Sequence, residues 1–273
     1  MKPKENEYII PPNLLNKDLT ETVKVFDEKN FEKSIKVVEE KPLTIFLNDQ
    51  EIITAMTIGD HPKYLALGFL FNQRIIRKKS EIKAVDYDKD LSLVVVRTSN
   101  KTNYEIKSKK KIKTSGCAMG TIFEDILEEF EKIKLPFFQI SSSDIFSLIK
   151  KINMTNSLYL EAGAIHGSVL CDNERPLVYM EDVGRHNAVD KISGWIFDND
   201  VDVKNKILYT TGRLTSEMII KTVMMKIPIL ISRSGFTAWG SRLAKQSNLT
   251  LLGRTKGNRF VCLNGKERII FQK

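Results

Sequence analysis

The sequence predicts an α/β protein in two parts: a smaller α+β N-terminal domain over residues 1–135, and an α/β domain over residues 136–273. Three observations predict it. Before Pro136 the strand-like apolar runs come in adjacent pairs. After Pro136 they alternate with helical segments, the rhythm of a partly parallel sheet with packed helices. The 273 residues are 42% hydrophobic and 28% charged, a globular mixture that excludes a disordered chain.

The elements follow in order. Residues before about 30 read as a loose arm. Ile35–Val38 and Leu43–Leu47 read as strands, with Asn48-Asp49 as a hairpin turn and Glu51–Ile58 as the return strand. Asp60 is placed to cap a helix with Pro62 in its first turn. Leu65, Ala66, Leu67, Phe69, Leu70 and Phe71 make that helix apolar all round, hence buried. Ile82–Tyr87 and Leu91–Arg97 form a second strand pair, and Phe123, Ile126, Leu127 and Phe130 give Thr121–Ile133 a helical spacing. Beyond Pro136, Ser141-Ser142-Ser143-Asp144 caps a helix reaching about Asn153. Strands are predicted at 164–171, 177–180, 206–209, 228–231, 249–252 and 260–263, with helices opening at Gly184, Thr215 and Thr237.

Charge and cysteine usage narrow the function. Lys+Arg 43 against Asp+Glu 34 leaves +9, which favours an anionic partner. Lys107, Lys109, Lys110, Lys111 and Lys113 form the densest cluster, which a solvated loop would also explain. No aromatic-basic motif points to nucleic acid. No apolar run of about 18 or more residues exists and the polar N-terminus has no signal-peptide core, so no membrane span and a cytoplasmic location are expected. The 3 cysteines, Cys117, Cys171 and Cys262, are too scattered for a disulfide framework or a zinc site.

Three segments could carry chemistry. Cys117 stands between Gly116 and Gly120, where the lysines upstream favour the thiolate; the alternative is a passive cysteine in a glycine turn. Successive strand ends present Thr210-Thr211-Gly212-Arg213, Ser232-Arg233-Ser234-Gly235 and Gly253-Arg254-Thr255-Lys256-Gly257-Asn258-Arg259, groups suited to a phosphate-bearing ligand at the carboxyl edge of a sheet. Glu181-Asp182-Val183-Gly184-Arg185-His186-Asn187-Ala188-Val189-Asp190-Lys191 fits either a general base or cofactor contact, or a helix cap with surface ion pairs. His166 reads as a satisfied core histidine.

Gly59-Asp60 with Leu65–Phe71, Ser115-Gly116-Cys117, the segment Glu181–Lys191, Gly212-Arg213 and Ser232-Arg233-Ser234 occur here in order. In these segments the chain resembles the formate dehydrogenase accessory sulfurtransferases, the FdhD family. The resemblance covers about Leu43 to the end. It implies a sulfur carrier: a cysteine desulfurase loads sulfur onto a loop cysteine as a persulfide, and the sulfur passes to the molybdenum of bis(molybdopterin guanine dinucleotide), which then serves formate dehydrogenase. It implies a cytidine-deaminase-like fold after residue 136 and a homodimer. Deaminase chemistry is not implied, because His166 is followed by Gly167-Ser168 and no Pro-Cys-x-x-Cys exists, so no zinc is expected.

Carried onto this chain, the resemblance makes Cys117 the persulfide carrier. Arg213, Arg233, Arg254, Thr255, Lys256, Gly257, Asn258 and Arg259 would bind the guanine nucleotide ends of the cofactor. The chain departs from the family in three places: Gly120 stands where many members carry a second loop cysteine, Ala162-Gly163 replaces paired glycines, and Arg254 replaces an aromatic residue. A single persulfide cysteine is chemically sufficient. The alternative is a cofactor-binding chaperone that transfers no sulfur.

Overall fold

Apolar alternation along the strands sets the layers. In the strand Ile207–Thr210, Leu208 faces one core cluster while Ile207 and Tyr209 face a second, and all are buried. A strand buried on both faces needs helices on both sides. The computed structural model, which describes residues 8–99 and 120–272, supplies them.

In chain order the elements are β1 (Thr20–Phe26), β2 (Glu32–Val38), β3 (Lys41–Leu47), β4 (Gln50–Thr57), α1 (Pro62–Asn72), β5 (Ile82–Asp88), β6 (Leu93–Thr98), α2 (Gly120–Lys132), β7 (Ile140–Ser141), α3 (Ser142–Met154), the single turn α4 (Leu158–Glu161), β8 (His166–Cys171), β9 (Pro176–Asp182), α5 (Arg185–Asp198), β10 (Ile207–Thr210), α6 (Ser216–Met224), β11 (Ile229–Ser232), α7 (Ala238–Gln246), β12 (Thr250–Lys256), β13 (Arg259–Asn264) and β14 (Ile269–Ile270). A six-stranded sheet has the order β13-β12-β11-β10-β8-β9, and a four-stranded sheet the order β4-β3-β6-β5. Within the first, β10, β11 and β12 are parallel, so their carboxyl ends share one edge. The protein is thus a mixed α/β fold, and most predicted elements fall where the sequence puts them. No helix among the described residues is long and apolar enough to cross a membrane.

Alternate residues of the larger sheet divide two cores. Leu208, Leu230 and Leu251 pack with α1, α5 and α6, whereas Ile207, Tyr209, Ile229 and Ile231 pack with Ile145, Leu148, Ile149 and Ile152 of α3. The first core also takes Leu43, Ile45, Leu65 and Val94, so it draws residues from both sides of Pro136. The helices α1 and α5 meet through glycine. A Cβ on Gly68 would stand 1.7 Å from the Asp190 carbonyl oxygen, and one on Gly194 1.9 Å from that of Tyr64. Only bare backbone permits this approach.

Two expectations need correction. Residues 20–30 are not a loose arm: β1 pairs antiparallel with β2, which contains the expected strand Ile35–Val38, from Thr20–Val38 to Phe26–Glu32. Asp27 closes their turn by accepting the backbone N–H groups of Lys29 and Phe31 at 2.9 and 3.0 Å. Charged residues alternating through this exposed ribbon disguise it in the sequence. Asp60 does not cap α1. It is buried against Lys191, and His61, at φ 45°, takes the cap position without a side-chain bond.

Candidate functional site

The strand ends converge as the parallel order requires. Arg233 and Arg254 each lie two residues beyond the paired Ile231 and Leu252, which puts them at one level of the edge. The loops are tied together: Arg254 N donates to Ser234 O at 2.8 Å, Leu214 N to Gly235 O at 2.9 Å and Thr237 N to Leu214 O at 3.1 Å. Arg213, Arg233 and Arg254 are exposed, and none forms an ion pair among the described residues. Arg233 stacks its guanidinium 5.4 Å from the ring centre of Tyr159. Lys256 and Arg259 pair across the tip of the β12–β13 hairpin, with Gly257 at φ 57° and Asn258 as the turn. They stand beyond the level of Arg233 and Arg254. Thr255 is set apart from the other predicted ligand residues, being only 5% exposed.

Behind this edge lies a cavity of about 390 Å³. Ile53 and Met56 of β4, Phe69 of α1, Ile126 of α2 and Ile220 of α6 form its apolar wall. Its polar wall is the start of α5, from Gly184 to Asn187, with His166, Glu217 and Lys221. None of the predicted nucleotide-binding residues lines it, yet the two regions touch. His166 Nδ1 lies 3.2 Å from Thr211 Oγ1, and the Arg185 side chain packs so closely on Gly212 that a Cβ there would meet Arg185 Cβ at 2.9 Å.

His166 is therefore not a core histidine: it is half-buried at the cavity wall. Burial, then the Arg185, His186 and Arg213 cations, hold its pKa below the usual value. His186 Nδ1 is 3.0 Å from Glu217 Oε2. Burial pushes Glu217 up, but the His186 hydrogen bond and charge, with Lys221 and Arg185, outweigh it and hold the carboxyl below its ordinary range.

The rest of the Glu181–Lys191 segment is structural rather than exposed. Lys191 is fully buried, donating to Asp60, to Asp182 at 2.7 Å and to the Glu181 carbonyl at 2.9 Å. Burial lowers its pKa, but Asp60 and Asp182 more than reverse that, so it stays charged. Asp182 also accepts from Thr57, Gly184 N and Asn187. Asp190 joins Asn72 at 2.7 Å and Lys221 at 2.5 Å. Sequence reasoning left open a functional role or a set of surface ion pairs. The segment divides instead: its acids and lysine make a buried seam, and Gly184–Asn187 faces the cavity. Partners more than 100 residues apart leave no local signal.

Cys117 and the lysine cluster at 107–113 lie outside the described residues. Described chain resumes at Gly120, three positions after Cys117. Cys171 is buried and its thiol pushed far up by desolvation; Cys262 is half-buried, raised by desolvation and by Glu267. Neither environment favours a thiolate. Among the described residues no cluster of His, Cys, Asp and Glu could hold a metal ion.

Comparison with known proteins gives one answer. Residues 38–270 match the family model described as the FdhD/NarQ family. A protein of Bacillus pumilus named sulfur carrier protein FdhD is 30% identical over 239 residues, covering 87% of this chain and 91% of the relative. Its namesake in Wolinella succinogenes is 31% identical over 227 residues, 82% and 78% of the two chains. A crystal structure of a protein from Desulfotalea psychrophila, assigned as a formate dehydrogenase accessory protein, superposes with a TM-score of 0.75 at 30% identity, over 92% of this chain and 98% of that one.

Proposed function

The chain belongs to the FdhD/NarQ family, and on that premise we propose that it is a sulfur carrier serving formate dehydrogenase. In this reading the Cys117 thiolate attacks the terminal sulfur of a persulfide on a cysteine desulfurase. The donor cysteine leaves as thiolate, and Cys117 keeps the sulfur as its own persulfide, with no net oxidation. Transfer of the terminal sulfur to the molybdenum of the substrate, bis(molybdopterin guanine dinucleotide), would restore Cys117 as thiolate, the two electrons that turn the sulfane sulfur into a sulfide ligand coming from reduced molybdenum in the substrate itself.

The observation that supports this reading is a cavity that meets α2 on one side and the strand-end loops on the other. On one side it meets Ile126 of α2, the helix that begins three positions after Cys117. On the other, His166 and Arg185 touch the Thr211-Gly212 strand end. Arg213, Arg233 and Arg254, without carboxylate partners among the described residues, suit the pyrophosphates of the substrate's nucleotide ends, with Lys256 and Arg259 at the hairpin tip. The same reading takes residues 136–273 as cytidine-deaminase-like and two copies as the working assembly.

The test is maturation of formate dehydrogenase in cells lacking the endogenous carrier. Wild type should restore formate oxidation and Cys117→Ala should not, although the variant still binds GDP, a fragment of the substrate. Full restoration by Cys117→Ala would leave only a cofactor-binding chaperone.

A further inference from the structure

The buried carboxylate of Glu181 is used by neither the seam's ion pairs nor the cavity. It sits near the end of β9, only 2% exposed. Its Oε2 accepts Leu158 N at 3.1 Å and its Oε1 accepts Tyr159 N at 2.8 Å. These are the first two N–H groups of α4, donors with no partner inside their own turn. Apart from them, α4 is held by Ser157, whose hydroxyl accepts Leu160 N at a long 3.4 Å, by the buried Leu158 side chain, and at its far end by the half-exposed ion pair of Glu161 with Lys36 at 2.8 Å, which does not touch Tyr159.

Tyr159 is where α4 meets the strand ends, because its ring carries the Arg233 guanidinium at 5.4 Å. Stacking restrains the plane of a guanidinium while leaving its N–H edge free for a phosphate. The contacts therefore run unbroken from Glu181 through the α4 backbone and the Tyr159 ring to Arg233.

We infer that Glu181 is a positioning residue of the strand-end site, fixing Arg233 through α4 and Tyr159 for a nucleotide diphosphate. The inference rests on the proposed role of that edge. Glu181 touches no ligand itself.

Its surroundings add a pH dependence. Desolvation pushes the carboxyl up to about 7, against the Tyr159 and Leu158 N–H bonds; Asp60, before α1, pushes it further and Lys191, on α5, opposes. The other ionisable neighbour is Tyr179 on β9, kept neutral by burial and by Glu181 itself. As pH falls through this value one oxygen gains a proton, its N–H partner loses a full acceptor, and the hold on Tyr159 slackens.

A double-mutant cycle on the full chain, with GDP as probe and calorimetry as readout, tests this. Arg233→Met should weaken GDP about tenfold and Glu181→Gln about fivefold. In the Arg233→Met background, Glu181→Gln should cost nothing more. Tyr159→Leu, which keeps every backbone donor, should reproduce the Glu181→Gln loss and the same non-additivity; it decides the matter if Glu181→Gln fails to fold. From about pH 8 to about pH 6 wild-type affinity should fall more steeply than that of Glu181→Gln, the titration of GDP itself being common to both. Additive losses, parallel pH slopes or an unchanged affinity in folded Glu181→Gln would overturn the inference and leave the strand-end site standing. An unchanged affinity in Arg233→Met would overturn both.

Discussion

At the α1–α5 seam, Lys191 is fully buried between Asp60 and Asp182; at the carboxyl edge of the larger sheet, Arg233 stands in solvent one residue after Ser232 with no carboxylate beside it among the described residues. The seam matches every cation with acids across 131 positions of sequence or fewer, and its helices approach so closely that glycine is required at both contacts. The edge holds three exposed arginines without carboxylate partners among the described residues, their loops tied through backbone bonds and Arg233 also stacked on Tyr159. The difference teaches where charge serves the fold and where it is kept for a ligand. Removing a seam charge strands a buried partner, whereas removing an edge charge strands nothing until a phosphate arrives.

The largest expected effect breaks the seam. Lys191→Met should cost about 3–5 kcal/mol, since Asp60 and Asp182 are left buried without a counter-charge. Gly194→Ala should cost about 3 kcal/mol, because the new methyl overlaps the Tyr64 carbonyl and two backbones must separate. Chemical denaturation reads both. Arg233→Met and Arg254→Ser, tested the same way, should stay within about 0.5 kcal/mol of wild type. If they destabilised as much as Lys191→Met, the contrast between the regions would be false.

A smaller effect sharpens the comparison by pH. Glu181 is raised from 4.5 to about 7 by burial. The folded chain then holds an extra proton between those values, so stability contributed by this group is full below about 4.5 and is lost as pH rises through about 7, in total on the order of 3 kcal/mol. Glu181→Gln should flatten that decline in urea titrations run across the window. An unchanged slope would mean that Glu181 does not titrate there.

Much of this was legible in the sequence, for a local reason. Period-two apolar runs and capping residues such as Ser141 and Thr237 act within a few residues, and β3–β6, β8–β13 and the long helices fall where those signals put them, whereas the two-residue β7 leaves no such signal. Of the β1–β2 ribbon only Ile35–Val38 was legible: in β1 the half-buried Val23 and Val25 stand among exposed Glu21, Thr22 and Lys24, too short an apolar alternation to stand out. Asp60 resembled a cap because its partner, Lys191, is 131 positions away. His166 resembled a core residue because nothing local reveals that it stands beside Arg185 in a cavity wall while bonded to Thr211. The arginines of the edge could be read in advance, since parallel strands bring successive carboxyl ends together; that Thr255 would be buried among them could not.

The smallest effect concerns the hairpin tip. The double variant Lys256→Ala, Arg259→Ala should leave stability unchanged and weaken GDP about tenfold in a salt-sensitive manner. Unchanged affinity in calorimetry would confine the nucleotide to Arg213, Arg233 and Arg254.

Sulfur on Cys117 is the claim on which the rest depends. The direct measurement is peptide mass spectrometry after incubating the protein with a cysteine desulfurase and cysteine. The peptide containing Cys117 should gain the mass of one sulfur atom, removable by a thiol reductant, while the Cys171 and Cys262 peptides gain none. An unmodified Cys117 peptide, together with sulfur on Cys262 or on no peptide at all, would contradict the account.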